Sequence, residues 1–274
     1  MEAPTIATIE KSVDEAEEIR TIFIRHTMQA KPGQFVMVWV PRLNEKPFAI
    51  SYLEKERLGI TVAAVGECSR RLYEMKPGEK IGIRGPYGEP YHLQENQEKD
   101  HIKDRMVVMV GGGYGSASLT LLAEEALAKG MHVKFILGAR EKKRLVYVER
   151  IKKLVGEENL LITTDDGSSG RKGFVTDALR GLIEQGETID KVYACGPDKM
   201  MKAVAELCTA HHIQGEISME RWMKCGFGLC GHCCVDPLGF RVCVEGPVVS
   251  FATALQVKEL GAYHRVQSSR KEKL

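Results

Sequence analysis

Short apolar and β-branched runs, separated by turn sequences, fill the first third of the chain. Lys31-Pro32-Gly33 and Lys76-Pro77-Gly78 are typical of turns, because proline fixes φ and glycine tolerates the left-handed conformation. The pattern predicts strands at 5–9, 19–24, 35–40, 48–53, 58–65 and 80–84, with a short helix at 69–75. Many short strands joined in this way predict a β-barrel or a β-sandwich over residues 1–100.

From about residue 105 the pattern changes to alternating strands and helices. Residues 106–110 are a continuous apolar run, as in a central parallel strand. Further strands are predicted at 132–137, 159–163 and 191–194, and helices at 117–129, 146–154, 175–185 and 199–211. This alternation predicts a doubly wound parallel sheet over residues 101–213. Residues 214–274 are left as a small, cysteine-rich third segment, so we expect a multidomain fold of the α+β and α/β classes.

Composition narrows the class of protein without identifying it. The 274 residues are 43% hydrophobic, which is enough for real cores in two domains and a small appendage. The net charge of +2 gives no electrostatic case for nucleic acid or a membrane surface. No run of about 18 apolar residues and no signal-peptide pattern is visible. We therefore expect a cytoplasmic protein whose eight cysteines serve metal or redox chemistry rather than disulfides.

Four cysteines near the C-terminus have an iron–sulfur spacing. Cys225, Cys230 and Cys233 read C-x4-C-x2-C, and Cys243 follows nine residues later. The first three match the plant-type pattern for a [2Fe–2S] cluster, whose fourth cysteine lies further along the chain. Three glycines between the ligands allow the backbone to wrap a small object and its N–H groups to approach sulfur. The spacing therefore predicts a one-electron carrier.

A structural zinc site is the alternative reading of these cysteines. Zinc sites usually pair two C-x2-4-C units, or two cysteines with two histidines, and this triplet with one distant cysteine fits them poorly. Cys234 adjoins Cys233 and is a weaker candidate ligand, which we expect to point away from the cluster.

A glycine-rich turn separates the buried strand at 106–110 from the next helix. Glycines at such a turn let the backbone approach a pyrophosphate at the helix N-terminus. The spacing departs from the standard dinucleotide fingerprint, so a tight turn without a ligand stays open. The candidate residues are Gly111, Gly112, Gly113 and Gly115.

Two further turns follow strands at the same predicted edge of the sheet, where open α/β sheets bind ligands. Cys195-Gly196-Pro197 follows the strand at 191–194. Asp165 and Asp166 follow the strand at 159–163, and their carboxylates either bond ribose hydroxyls or cap a turn.

Electron counting connects the two predicted sites. A nicotinamide gives up two electrons together as a hydride, whereas a [2Fe–2S] cluster accepts one. A flavin accepts a pair and releases single electrons, so a flavin should lie between them. The β domain is where we expect it.

The order of domains and several motifs together resemble the ferredoxin–NADP reductase superfamily. Within it, the chain is similar over essentially its whole length to the electron transfer subunits of dihydroorotate dehydrogenase. The resemblance is carried by residues 31–36, 45–51, 85–88, 111–115, 164–168, 195–197, 219–226 and 241–247.

The resemblance implies that FAD binds in a β-barrel and that NAD binds to the sheet, with Cys195 beside the nicotinamide as the catalytic residue. The residues that align with the family's FAD contacts are Lys46, Pro47, Phe48 and Ala49, then Val62, Ala63 and Ala64, then Cys68 and Ser69. Lys46 replaces the arginine that pairs with the pyrophosphate, and Ala49 replaces a serine near the isoalloxazine. Lysine neutralises the charge of a phosphate but cannot form the bidentate hydrogen bonds that arginine forms.

The resemblance also implies a partner. It names an FMN-containing catalytic subunit of pyrimidine biosynthesis that interconverts dihydroorotate and orotate, in a heterotetramer with two copies of each subunit. Related subunits serve cytosolic hydrogenases and anaerobic sulfite reductases, and this alternative remains open. So does a scaffold protein that has a structural zinc and an empty nucleotide fold. NADH and NADPH are not separated by the sequence.

Overall fold

Six antiparallel strands close into a barrel in the computed structural model, which describes residues 3–93, 103–266, 268 and 270–273. The strands are β1 (Thr5–Ala16), β2 (Ile19–Arg25), β3 (Phe35–Trp39), β4 (Glu45–Glu54), β5 (Arg57–Ala63) and β6 (Lys80–Tyr87), in the order β1-β2-β5-β4-β3-β6. Helix α1 (Glu67–Glu74) lies between β5 and β6. Of the two β architectures that the sequence allows, the barrel is confirmed.

Alternating apolar residues fill the barrel, because successive side chains of a strand point to opposite faces. Ile22 and Ile24 on β2 are fully buried, as are Val36 and Val38 on β3. Leu72 of α1 joins the same core and is also fully buried. The amphipathic helix therefore covers one side of the barrel.

A seven-stranded sheet follows the barrel. Its strands are β7 (Met106–Gly112), β8 (His132–Ala139), β9 (Leu160–Thr164), β10 (Arg171–Lys172), β11 (Lys191–Cys195), β12 (Gly215–Ser218) and β13 (Val248–Ser250), in the order β10-β9-β8-β7-β11-β12-β13. All neighbours are parallel except β12 and β13. The helices are α2 (Ser116–Ala128), α3 (Val148–Val155), α4 (Val175–Glu184), α5 (Asp198–Ala210) and α6 (Phe251–Ala254), and a small hairpin of β14 (Tyr263–Arg265) and β15 (Lys271–Lys273) ends the described chain.

The parallel sheet is confirmed, but it is larger than the sequence pattern indicates. Strands β12 and β13 lie in the segment 214–274, and they extend the sheet beyond residue 213. The predicted boundary between residues 100 and 101 falls among residues 94–102, outside the described part of the chain. The division into three domains stays a prediction.

The barrel and the sheet are joined by polar and aromatic contacts at α3. The hydroxyl of Tyr147 bonds with Thr21 at 2.7 Å and with Thr61, two threonines of the barrel. The guanidinium of Arg150 lies 3.5 Å from the centroid of the Tyr52 ring on β4. Tyr147 is buried, so its hydroxyl depends on these bonds.

The cysteine-rich segment between β12 and β13 packs against the barrel and the sheet together. Val235 and Val242 are fully buried in one core with Phe35 and Met37 of β3. The segment is therefore held by the barrel at β3 as well as by the sheet. None of the helices in the described ranges is long and apolar enough to cross a membrane.

Candidate functional site

The four predicted cluster cysteines lie in one glycine-rich loop. Gly228 has φ +84°, a conformation that glycine adopts without strain. Its N–H donates to the Cys243 sulfur at 3.2 Å, and a Cβ at this position would come 2.6 Å from Val244. The loop can therefore close on a sulfur ligand only because this residue has no side chain.

Backbone N–H groups point at the sulfurs, and the sulfurs approach in two pairs. The Cys230 N–H donates to the Cys225 sulfur at 3.5 Å, and the Cys243 N–H donates to the Cys233 sulfur at 3.4 Å. The side chains of Cys225 and Cys230 also contact each other, as do those of Cys233 and Cys243. A [2Fe–2S] cluster needs this pairing, with two thiolates on each iron.

The surroundings of the loop favour thiolate at two of the four cysteines. Burial alone would raise the pKa of Cys225, but hydrogen bonds from Cys230 and the Phe227 N–H lower it to about 7. The hydrogen bond with Cys243 is the main cause that lowers the pKa of Cys233, to about 6, and it raises the pKa of Cys243. Thiolate is the form that binds metal.

The donor set and its pairing fit a two-iron cluster. Within the described ranges, no three side chains of His, Cys, Asp or Glu are arranged to hold a single metal ion. Cys234 belongs to neither sulfur pair, and its backbone forms an isolated antiparallel β-bridge with that of Arg241. Cys230 is exposed, whereas Cys233 and Cys243 are buried, so one end of the site faces solvent.

The predicted nucleotide turns meet at the carboxyl edge of the sheet. Cys195, the last residue of β11, pairs with Gly111 of β7. A Cβ on Gly115 would come 2.7 Å from the carbonyl group of Cys195, so the two turns touch only because residue 115 is glycine. Gly113 has φ +55° and open space where a Cβ would stand. Space and backbone N–H groups at a helix start suit a pyrophosphate.

Hydroxyl groups surround the thiol of Cys195. Its partners are the side chains of Tyr91, Ser118 and Ser218. Burial raises the pKa of the Cys195 thiol to about 11, so it is protonated at neutral pH. The cysteine therefore presents a neutral S–H, and not a nucleophilic thiolate, at this edge.

A contact that the sequence does not reveal joins the nucleotide turn to the cysteine-rich segment. The Tyr114 hydroxyl donates to the Glu220 carboxylate at 2.8 Å. Desolvation by the surrounding protein raises the pKa of Glu220, although part of this residue is exposed to solvent. The carboxylate in turn raises the pKa of Tyr114. Sequence reasoning gave neither residue a role, since 106 positions separate them.

Asp165 and Asp166 follow β9, as predicted. The Asp166 carboxylate accepts hydrogen bonds from the N–H and the hydroxyl of Ser168 at 2.9 and 2.7 Å. These bonds lower its pKa. Asp166 thus caps a turn, one of the two roles considered for it, and ribose binding by the pair stays a prediction.

The predicted flavin residues lie on neighbouring elements of the barrel. Lys46–Ala49 are on β4, Val62 and Ala63 end the adjacent β5, Ala64 follows, and Cys68 and Ser69 are in the first turn of α1. Val62 and Ala64 are buried, and Ala63 between them is partly exposed. Ser69 accepts the Gly66 N–H at 3.0 Å, and Cys68 donates to the Asn44 carbonyl group at 3.6 Å. An ammonium, a hydroxyl and a helix start suit a pyrophosphate.

A buried arginine ties the barrel to the cluster loop. Arg84 on β6 forks onto the Glu45 carboxylate, with Nε 2.7 Å from Oε1. Its Nη2 also donates to the carbonyl oxygen of Cys225 at 3.0 Å. The sequence gives no sign of this contact, because 141 positions separate the two residues.

Comparison with known proteins locates two family matches on these elements. Residues 220–253 match the iron–sulfur cluster binding domain of dihydroorotate dehydrogenase B. Residues 109–206 match the oxidoreductase NAD-binding domain. The first contains all four paired cysteines, and the second contains the glycine turn and Cys195.

Relatives match over almost the whole length. The chain is 39% identical to the probable dihydroorotate dehydrogenase B (NAD(+)) electron transfer subunit of Methanocaldococcus jannaschii, covering 99% of each chain. It is 38% identical to the protein of the same name from Methanothermobacter thermautotrophicus, covering 99% of this chain and 98% of the relative. A solved structure of an NADH-dependent reduced ferredoxin–NADP oxidoreductase aligns with a TM-score of 0.81 at 30% identity, over 95% of this chain and 93% of that one.

Proposed function

The chain belongs to the family of dihydroorotate dehydrogenase B electron transfer subunits, and on that premise we propose how its residues conduct electrons. NAD, FAD and a [2Fe–2S] cluster are its cofactors. FAD, when bound, would supply the exchange between the two-electron donor NADH and a one-electron acceptor, because a flavin accepts an electron pair and releases single electrons.

One observation carries the proposal: the cysteine-rich segment contacts both the nucleotide turn and the barrel. Tyr114 and Glu220 join it to the nucleotide turn at 2.8 Å, and Arg84 joins the Cys225 carbonyl group to the barrel at 3.0 Å. Electron transfer needs donor and acceptor held close and in a fixed orientation. The chain's residues supply this positioning, so no acid–base pair is required.

We assign the site residues accordingly. Cys225 and Cys230 bind one iron, and Cys233 and Cys243 bind the other. The turn at Gly111–Gly113 and Gly115 receives the pyrophosphate of NADH, with Gly196 and Pro197 beside Cys195. The neutral Cys195 thiol packs against the nicotinamide and does not attack it. Lys46 and Ser69 meet the FAD pyrophosphate, and the other residues of these three flavin stretches line its site.

The acceptor is a separate catalytic subunit, as the relatives' name implies. The cluster loop offers it an apolar surface, since the side chains of Phe227 and Leu229 are 37% and 76% exposed beside the exposed Cys230. Exposed apolar groups of this kind mark protein contacts. We propose that the partner contains FMN, interconverts dihydroorotate and orotate, and forms a heterotetramer with two copies of each subunit in the cytoplasm.

Anaerobic purification with an affinity tag on this chain tests the proposal. The expected complex carries FAD, FMN, iron and sulfide, and oxidises NADH when orotate is added. The chain alone should be bleached by NADH without acting on orotate, and NADPH provides the comparison for nucleotide choice. Co-purification of a hydrogenase or sirohaem subunit instead, with no orotate-dependent oxidation, would contradict the assignment of the partner. A colourless protein with stoichiometric zinc would contradict the whole proposal.

A further inference from the structure

The cysteine-rich segment is joined to two consecutive residues of β4, one through Arg84 and the other directly. Glu45 binds the Arg84 guanidinium, whose Nη2 also donates to the Cys225 carbonyl group. The ammonium of Lys46 lies 3.5 Å from the centroid of the Trp222 indole ring. Lys46 is one of the proposed flavin residues, whereas Trp222 belongs to the segment that binds the cluster. The proposed flavin site and the cluster-binding segment are therefore in contact through Lys46 and Trp222.

The charge of Lys46 is held in place without a counterion. Among the residues that the structure describes, no carboxylate lies within ion-pair distance of its ammonium group. Burial lowers the pKa of Lys46, and the nearby charge of Lys224 lowers it further. Cys68, in the first turn of α1, lies close enough to interact with the ammonium. A half-buried cation with a second cation beside it, and no acid, suits an anionic ligand.

The Lys46 side chain needs a neighbouring group to fix the position of its ammonium. Its ammonium is a point charge on a flexible four-carbon stem, and holding it costs side-chain entropy when a phosphate binds. An indole face attracts the cation and fixes the ammonium before the ligand arrives. Such pre-organisation raises affinity because the ordering cost is met in the free protein.

We propose that Trp222 is a positioning residue of the flavin site, which holds the Lys46 ammonium where it meets the pyrophosphate of FAD. This inference rests on the proposed binding of FAD by the barrel. It implies that the cluster segment, and not the barrel alone, sets the affinity for FAD.

Titrations that follow the quenching of flavin fluorescence, one with FAD and one with riboflavin, test the proposal. They use the full-length chain freed of flavin and carrying its cluster. Trp222→Leu should weaken FAD binding about tenfold, a factor between those of an exposed and of a desolvated cation–π contact, since Lys46 is half-buried. Riboflavin lacks the pyrophosphate, so its affinity should not change. Trp222→Phe keeps an aromatic face and should retain most of the FAD affinity.

Coupling between the two residues distinguishes positioning from a merely structural role. Lys46→Gln should weaken FAD binding at least as much as Trp222→Leu does, and the double variant should be no weaker than Lys46→Gln alone. Trp39→Phe, at the other tryptophan of the chain, is the matched control and should bind FAD like the wild type.

Three results would overturn the inference: unchanged FAD affinity in Trp222→Leu, an equal loss of riboflavin binding, or additive effects in the double variant. A wild-type chain that binds no FAD at all would instead refute the proposed function.

Discussion

Replacing Arg84 by methionine tests the contact that holds the cluster loop on the barrel. The side chain is 7% exposed, and its two shortest contacts are with the Glu45 carboxylate and the Cys225 carbonyl oxygen, while its Nη1 also donates to the Tyr87 hydroxyl at 3.4 Å. Methionine keeps an apolar side chain of comparable length but removes every donor. The loss therefore concerns the polar contacts more than the packing.

The magnitude follows from these two contacts. A hydrogen bond from a charged donor contributes about 1.5–3 kcal/mol. Removing one partner of a buried ion pair costs about 3–5 kcal/mol. The Glu45 side chain is 19% exposed and can regain water, and both contacts use one guanidinium, so the costs overlap. We expect the free energy of unfolding to fall by about 3 kcal/mol.

Urea unfolding of the cofactor-loaded protein, followed by the visible absorption of the cluster and by tryptophan fluorescence, measures this change. Arg84→Lys keeps the charge but cannot reach both acceptors, so we expect a loss of about 1–2 kcal/mol. The double variant Glu45→Leu with Arg84→Met removes both charges and should recover part of the loss. The reasoning is refuted if Arg84→Met unfolds within about 0.5 kcal/mol of the wild type, the range of an ordinary surface substitution.

Three further predictions concern the candidate sites. Gly115→Ala places a Cβ 2.7 Å from the Cys195 carbonyl group and should raise the NADH concentration for half-maximal cluster reduction more than about tenfold, whereas Gly181→Ala in α4 should leave it unchanged. Cys230→Ser should lose most of its iron and sulfide in chemical analysis, whereas Cys234→Ser should keep both; equal contents would show that the assignment of the ligands is wrong. Peptide mass mapping after iodoacetamide treatment should find Cys195 almost unmodified at pH 8 and increasingly modified towards pH 11, because burial raises its pKa to about 11 and the thiol stays protonated below that value. Rapid labelling at pH 8 would contradict this environment.

Local patterns were sufficient to predict the barrel strands and the alternating sheet. Periodicity and Pro-Gly turns act over a few residues, and they located β2, β7 and α5 to within about two residues. Strands β12 and β13 were missed, because they are four and three residues long and flank a loop whose cysteines dominate the segment. Short strands carry too little periodicity to be recognised.

The candidate site also has some features that the sequence predicts and others that it does not. The cysteine spacing and the glycine turn are local, so the residues could be selected from the sequence. The contacts of Arg84 with Cys225, Tyr114 with Glu220 and Lys46 with Trp222 join distant parts of the chain. They depend on how the segments pack, and no spacing rule predicts them.

Electron paramagnetic resonance of the anaerobically reconstituted chain, frozen after reduction by NADH, tests the central claim most directly. The account predicts that NADH bleaches the flavin and produces the paramagnetic signal of a reduced [2Fe–2S] cluster, and that removal of FAD abolishes the signal. Absence of this signal in a sample with full iron and flavin content, or its appearance without FAD, would contradict the proposed route from hydride donor to cluster.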